Sequence, residues 1–231
     1  MLYFLGQYLQ SFFGPARLLQ SYTVLISIAL YLGFFLSYKL IPKFYKKLPH
    51  DRGREFAIKE TSDAAKGKPT GTGIVFITIF VLICLLIVPL SLSRSLILIL
   101  TWFTMLSGFL DDRSVTSWGE YLKGFLDLVI SVAASVILYY GIKNASADGV
   151  VSFWLPFVSH TVVVNPVVYV VISTIMLWAS INTTNCTDGV DGLSATLVLI
   201  ALITLGVIFY FILGHVNIAS YLLVPHVLYQ S

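Results

Sequence analysis

Two adjacent carboxylates are the first residues in this sequence whose type and spacing suggest chemistry. Asp111 and Asp112 directly follow the apolar residues Gly108-Phe109-Leu110. Neighbouring carboxylates at the end of an apolar segment repel one another, so such a pair is favoured when a cation or a shared proton offsets the repulsion. Carboxylate oxygens suit Mg²⁺ and the phosphates that it bridges. A solvated helix end is the alternative interpretation of the pair.

A second polar segment, residues 182–192, is unusually rich in oxygen ligands. Its eleven residues include two amides, three hydroxyls and two carboxylates, namely Asn182, Asn185, Thr183, Thr184, Thr187, Asp188 and Asp191. Asp188 and Asp191 are three residues apart, so they would share one face of a helical turn. A helix N-cap would explain one of these residues but not the set. The segment therefore indicates a catalytic or binding site.

A basic, glycine-rich turn is the third candidate, with the sequence Lys66-Gly67-Lys68-Pro69-Thr70-Gly71-Thr72-Gly73. The order of Gly, Lys and Thr is not that of a Walker A motif. A turn of this kind ahead of a helix can still bind phosphate oxygens, and Lys66 and Thr70 are its candidate ligands. The alternative interpretation is a positively charged flank of a membrane helix.

The elements that must position these residues are membrane helices. Of 231 residues, 58% are hydrophobic and 11% are charged, whereas a soluble domain carries roughly 25% charged residues. Because about 20 apolar residues span a bilayer, the sequence predicts an all-α, polytopic transmembrane helical bundle. It forms a single membrane domain, residues 1–231, with six full spans and the start of a seventh. The predicted spans are Tyr22–Ile41, Gly73–Leu90, Ser95–Leu110, Phe125–Gly141, Val167–Ile181 and Ser194–Leu213.

The distribution of charge predicts the orientation of the bundle. With the N-terminus outside, eleven of the 14 basic residues fall on the cytoplasmic side, as the positive-inside rule requires. Ten of the 11 carboxylates fall on that side as well, and Asp148 is the exception. The predicted cytoplasmic loops, 42–72, 111–124 and 182–193, thus contain all three candidate segments. Together they are typical of a metal-assisted diphosphate site. The external segment from Lys143 to Pro166 predicts either a short hairpin or a plain connector.

Three motifs resemble those of the polyprenyl-phosphate N-acetylhexosamine-1-phosphate transferase superfamily. They are Gly108-Phe-Leu-Asp-Asp112, Asn182-x-x-Asn-x-Thr-Asp-Gly-x-Asp-Gly-Leu193 and the weaker Lys-Gly-x-Pro-Thr70. The stretch from Asn217 to Pro225 is similar to the branch of that superfamily that acts on UDP-MurNAc-pentapeptide. The resemblance runs along the entire chain.

The resemblance implies an activity at the cytoplasmic face of the bacterial inner membrane. Phospho-MurNAc-pentapeptide would pass from UDP-MurNAc-pentapeptide to undecaprenyl phosphate, with Mg²⁺ as cofactor, giving lipid I and UMP in peptidoglycan synthesis. Membrane lipid surrounds such an enzyme, a homodimer is expected, and nucleic acid is not a partner. By position, Asp111 would be a base or an orienting group for the lipid phosphate, with Asp112 beside it.

The resemblance also implies roles for the other candidates. Asn185 and Asp188 would lie at the metal and the diphosphate, so Asp188 would be catalytic as well as a metal ligand. The residues implied to bind substrate are Lys66, Thr70, Lys123, Asn182 and Asp191. The implied reaction is a phosphoryl transfer, in which the protein acts by positioning the substrates and neutralising their charge.

The sequence also departs from the family pattern. Ala65 stands where the family usually has a lysine, and Lys66 is next to it. The family has further helices and later loops with another metal-binding aspartate and a histidine-rich motif, which this sequence does not contain. We therefore expect an N-terminal portion of the enzyme, inactive by itself. The alternatives are a transferase that uses UDP-GlcNAc and a non-catalytic membrane protein that binds polyprenyl phosphate.

Overall fold

The computed structural model describes residues 2–50, 67–114, 118–146, 148–153, 161–187, 192–222 and 224. These residues are mostly helical, so the predicted all-α fold class is confirmed. The α-helices are α1 (Leu2–Leu9), α2 (Tyr22–Phe44), α3 (Gly73–Ile87), α4 (Leu92–Arg113), α5 (Glu120–Ala145), α6 (Pro166–Thr187), α7 (Leu193–Val207) and α8 (Val216–Tyr221). The remaining elements are 3₁₀ helices at Gly14–Gln20 and Tyr45–Lys47, a π-helical segment at Ile208–Leu213, and strands β1 (Ser152–Phe153) and β2 (Val162–Val163).

Five described helical stretches are long and apolar enough to cross a membrane: Tyr22–Lys47, Leu92–Arg113, Glu120–Ala145, Pro166–Asn185 and Leu193–Leu213. The predicted span Gly73–Leu90 is instead the 15-residue apolar helix α3. Fifteen residues rise about 22 Å, less than the roughly 30 Å of the hydrocarbon core. The helix ends because Val88 precedes Pro89 and is extended, with ψ 133°. The six predicted spans thus correspond to five helices of spanning length and one shorter helix, and the start of a seventh lies outside the described residues.

Polar helix ends extend beyond the predicted spans. Asp111 and Asp112 belong to the last turn of α4, and residues 182–187 continue α6 rather than forming a loop. The helices thus extend past the predicted span ends at residues 110 and 181, while the predicted cytoplasmic loops 111–124 and 182–193 stay predictions. Several polar side chains in the extension of α6 bond to carbonyls of the same helix. Asn182 donates to the Trp178 carbonyl at 2.8 Å, and Thr184 donates to the Ser180 carbonyl at 2.8 Å, so their side chains bond within the helix.

The first compact unit, Met1–Asn144, contains α1 to α5. In this unit α2 packs on α3 and α3 packs on α4. The Trp102 indole N–H donates to the Thr78 hydroxyl at 3.2 Å, which joins α3 to α4 within the apolar region. At one end of the α4–α5 pair, a Cβ added to Gly141 would lie 3.0 Å from Cβ of Ser93. Small residues allow this close approach, as is usual between membrane helices.

The second compact unit, Ala145–Ser231, begins with a small hairpin. Strands β1 and β2 pair antiparallel, with Ser152 opposite Val163, so the hairpin interpretation of the segment from Lys143 to Pro166 is confirmed. The Phe153 ring stacks on Tyr169 of α6 at 5.6 Å between centroids, which fixes the hairpin to the helix. Helix α7 begins after Gly192, whose φ of +81° favours glycine.

Candidate active site

The C-terminal end of α4 carries the carboxylate pair and stops abruptly after it. The Ser114 backbone N–H donates to the carbonyls of Leu110 and Asp111, and its hydroxyl donates to the Asp111 carbonyl at 2.7 Å. These bonds use helix-end carbonyls that would otherwise lack an intrahelical donor. Negative side chains at this end oppose the helix dipole. The two carboxylates therefore need compensation from elsewhere in the fold.

Asp111 receives that compensation from two donors. The Lys123 ammonium on α5 lies 2.6 Å from Oδ2 of Asp111, and the side chains are 32% and 17% exposed respectively. The Trp118 backbone N–H donates to Oδ1 of the same carboxylate at 2.8 Å. Both oxygens are thus engaged at short, charge-assisted distances. This arrangement fixes the orientation of the carboxylate and places a lysine beside it.

Asp112 is connected instead to the basic turn. The Thr70 hydroxyl donates to Oδ2 of Asp112 at 3.0 Å. The turn itself is tied to the preceding segment, because the Thr70 backbone N–H donates to the Pro49 carbonyl at 2.8 Å and His50 pairs with Pro69 in an isolated bridge. The structure therefore brings two of the three candidate segments together at one end of the first unit.

Gly71 allows the turn to lie close to α4. Its φ is +68°, and a Cβ built there would be 3.0 Å from Cδ2 of Phe109 and 3.3 Å from Cγ of Pro49. The left-handed conformation and this tight packing both favour glycine. Phe109 lies two residues before Asp111 on α4. A glycine at position 71 therefore lets the turn pack directly against the end of the helix that carries the carboxylate pair.

Chemically, this cluster offers hard oxygen ligands beside donors to anions. Asp111 and Asp112 supply carboxylate oxygens, and the Lys123 ammonium can donate to phosphate oxygens, whereas the single hydroxyl hydrogen of Thr70 is donated to Asp112. Within the described ranges, no group of three or more His, Cys, Asp or Glu side chains could hold a metal by itself. Mg²⁺ is commonly held by one or two carboxylates together with water and substrate phosphates. The donor set of the carboxylate pair therefore fits Mg²⁺ when a phosphate is also bound.

The remaining predicted residues belong to the second unit or lie outside the description. Asn182 is half-buried and bonded to its own helix, whereas Asn185 is exposed, three residues later on α6. Asp188, Asp191 and Lys66 lie outside the described residues. The expectation that the segment after α6 faces the other two stays a prediction.

The Trp118 backbone N–H, which contributes to the cluster, and the nearby carboxylate Asp127 are not among the site residues that the sequence predicts. The Trp118 backbone N–H could not be singled out, because every residue type except proline carries this donor. Asp127 is a buried carboxylate on α5, 8% exposed. The sequence does carry a signal for Asp127: it is a carboxylate within the mainly apolar part of the helix, four residues after Lys123.

Comparisons with known proteins give one consistent result. Residues 95–228 match the family model described as glycosyl transferase family 4. A phospho-N-acetylmuramoyl-pentapeptide-transferase of Treponema pallidum is 50% identical over 220 residues, covering 95% of this chain and 59% of the relative. Proteins of the same name from Aquifex aeolicus and Opitutus terrae are 30% and 31% identical, covering 100% and 95% of this chain and 66% and 62% of the relatives. The chain thus spans about three fifths of the length of these curated relatives.

Proposed function

Because the chain belongs to glycosyl transferase family 4, we propose that it is part of a membrane phosphotransferase that forms lipid I. The donor would be UDP-MurNAc-pentapeptide, the acceptor undecaprenyl phosphate, and the second product UMP. The names of the relatives support this reaction. The structural observation that supports the proposal is a pair of contacts at one end of the first unit. Thr70 is hydrogen-bonded to Asp112, and Lys123 is ion-paired with Asp111.

The residues of this cluster would act by binding and orienting phosphates. The reaction joins two polyanions, so its main obstacle is the repulsion between them. The Lys123 ammonium would bind phosphate oxygens, with Lys66 as a further cation, and the Thr70 hydroxyl would bind a phosphate oxygen by exchanging its bond to Asp112 for one to the substrate. The acceptor phosphate is already largely ionised at neutral pH, so a strong base is not essential. Asp111, with one donor on each oxygen, is suited to orient Lys123 rather than to take a proton.

Magnesium is the proposed cofactor. Asn185 and Asp188 would be ligands, consistent with the affinity of Mg²⁺ for amide and carboxylate oxygens. When bound, the ion would neutralise charge on the diphosphate during transfer. Asn182 would stabilise the substrate-binding segment, and Asp191 would contact the nucleotide side or hold that segment. Asp112, exposed at the end of α4, would act with Asp111 as a catalytic carboxylate.

The membrane location and orientation of the protein are proposed from the distribution of its charged residues and from its apolar composition. Multiple apolar helices make this a multi-pass membrane protein. We place it in the bacterial inner membrane with the N-terminus outside, which puts the cluster at the cytoplasmic face, where a soluble nucleotide sugar is available. A homodimer is proposed from the family resemblance, and the 231-residue chain alone is expected to lack transferase activity.

The test is UMP release from membranes that contain the protein as its own cell makes it. UDP-MurNAc-pentapeptide and undecaprenyl phosphate should give UMP and lipid I in the presence of Mg²⁺, and a chelator should abolish the reaction. UDP-GlcNAc should give no product. Product from UDP-GlcNAc alone would assign a different donor, and substrate binding without UMP release would contradict the enzyme assignment.

A further inference from the structure

A buried polar stripe runs along α5 and ends at a carboxylate that has no part in the proposed reaction. Asp127, Ser131 and Ser135 recur every four residues and are 8%, 1% and 0% exposed. Such spacing places them on one face of the helix. The Ser131 hydroxyl donates to the Asp127 carbonyl at 2.7 Å, and the Ser135 hydroxyl donates to the Ser131 carbonyl at 2.8 Å. The serine donors are thus used within the helix, which leaves the Asp127 carboxylate as the costly member of the stripe.

A buried carboxylate in a membrane helix either takes up a proton or has a partner that offsets the loss of hydration. The candidate partner on α5 is the Lys123 ammonium, because Lys123 lies one helical turn before Asp127 on the same face of the helix. The same ammonium is 2.6 Å from Asp111 on α4. Lys123 is therefore ion-paired with a carboxylate of the candidate site and lies one turn from a buried carboxylate of its own helix.

A lysine with a long flexible side chain is free to leave Asp111 once an anionic phosphate arrives. An attraction from the buried side restricts the positions that the ammonium can take.

We propose that Asp127 is a positioning residue, which anchors the Lys123 ammonium next to Asp111 so that it stays aligned for a substrate phosphate. The role rests on the proposed phosphotransferase function. Asp127 itself touches neither substrate nor metal and acts through Lys123. Its replacement should therefore change phosphate affinity and not only the amount of folded protein.

The first test measures KM for undecaprenyl phosphate in membranes containing the protein as its cell makes it. Asp127→Asn keeps the size of the side chain and removes its charge, and KM should rise about fivefold to tenfold. Asp127→Glu should restore part of the affinity. Glu120→Gln is the matched control, because Glu120 is an exposed carboxylate three residues before Lys123 on the same helix, and KM should not change. A purely structural role for Asp127 would lower the maximal rate and leave KM unchanged, which would overturn the proposal.

A double-mutant cycle tests whether Asp127 acts through Lys123. In a Lys123→Met background, Asp127→Asn should have no further effect on KM, because the residue that it positions is gone. An equal rise in KM with and without the lysine would overturn the proposal.

A second readout is independent of activity and separates failure of this proposal from failure of the proposed function. Lys123→Met leaves the buried carboxylate without its cation, so the Tm of the detergent-solubilised protein should fall. Adding Asp127→Asn should recover part of that loss, since the uncompensated charge is removed. If no UMP is released but the recovery occurs, the function is wrong and the anchoring is supported. Additive losses in Tm would contradict the anchoring.

Discussion

The Thr70 hydroxyl donates a hydrogen bond to Oδ2 of Asp112 across 42 positions of sequence, at 3.0 Å. It joins the basic turn ahead of α3 to the end of α4. A hydroxyl that donates to a carboxylate keeps its own oxygen available as an acceptor, and one carboxylate oxygen can accept more than one hydrogen bond. The bond therefore holds the turn over the helix end.

Removing this hydroxyl should weaken turnover. Thr70→Val has nearly the same shape but cannot donate to Asp112, so the turn would lose its bond to the carboxylate. Hydrogen bonds to charged groups contribute about 1.5–3 kcal/mol, and we expect kcat/KM for UMP release to fall about tenfold or more. Thr70→Ser should retain most of the activity. Equal activity of the valine and serine variants would show that the bond has no role in the reaction.

Removing the Lys123 ammonium should lower turnover more than removing the Thr70 hydroxyl, because the ammonium can interact with both Asp111 and a substrate phosphate. Lys123→Met keeps the apolar stem and removes the charge, and kcat/KM should fall about 100-fold. Lys143→Met is the matched control, since Lys143 is exposed in the last turn of the same helix. Comparable losses of activity in the two variants would mean that activity depends on the total positive charge of α5 and not on the position of Lys123 beside Asp111.

The sequence predicted the meeting of the basic turn and the carboxylate pair from the number of membrane crossings between them. Counting rests on the expectation that each apolar helix reverses the side of the membrane, and it needs no knowledge of packing. Crossing counts do not give distances, so the pairing of Thr70 with Asp112 and of Lys123 with Asp111 required the structure. Asp127 was overlooked for the same reason: its burial depends on which face of α5 meets the bundle.

Helix ends were predicted less well than helix positions. Apolar residues marked the spans, but α6 continues through the polar residues 182–187, where several side chains bond to carbonyls of the same helix. At the end of α4, Lys123, Trp118 and Thr70 donate to Asp111 and Asp112, whose charges oppose the helix dipole. Composition does not specify either set of hydrogen bonds and ion pairs.

Gly71 and Gly67 form a matched pair for testing how closely the turn must pack. Both have positive φ, +68° and +80°, but a Cβ at Gly71 would crowd Phe109 and Pro49, whereas nothing lies within 4 Å of one at Gly67. Gly67→Ala should cost only the left-handed backbone strain, about 1–2 kcal/mol of unfolding free energy. Gly71→Ala should cost that plus the crowding and should also lower activity. Tm in detergent and UMP release would check this, and equal effects of the two changes would contradict the close packing.

Asp188 and Asp148 test the proposed metal ligand and the proposed orientation together. Asp188 belongs to the oxygen-rich segment that the sequence places at the cytoplasmic face, whereas Asp148 is exposed in the connection after α5, which the same topology places outside. Asp188→Asn keeps an oxygen ligand but removes its charge, so Mg²⁺-dependent UMP release should fall about a thousandfold and the Mg²⁺ concentration needed for activity should rise. Asp148→Asn should change neither quantity. Because both variants lose one negative charge, equal effects would contradict the orientation, and an undiminished rate for Asp188→Asn would remove this residue from the metal site.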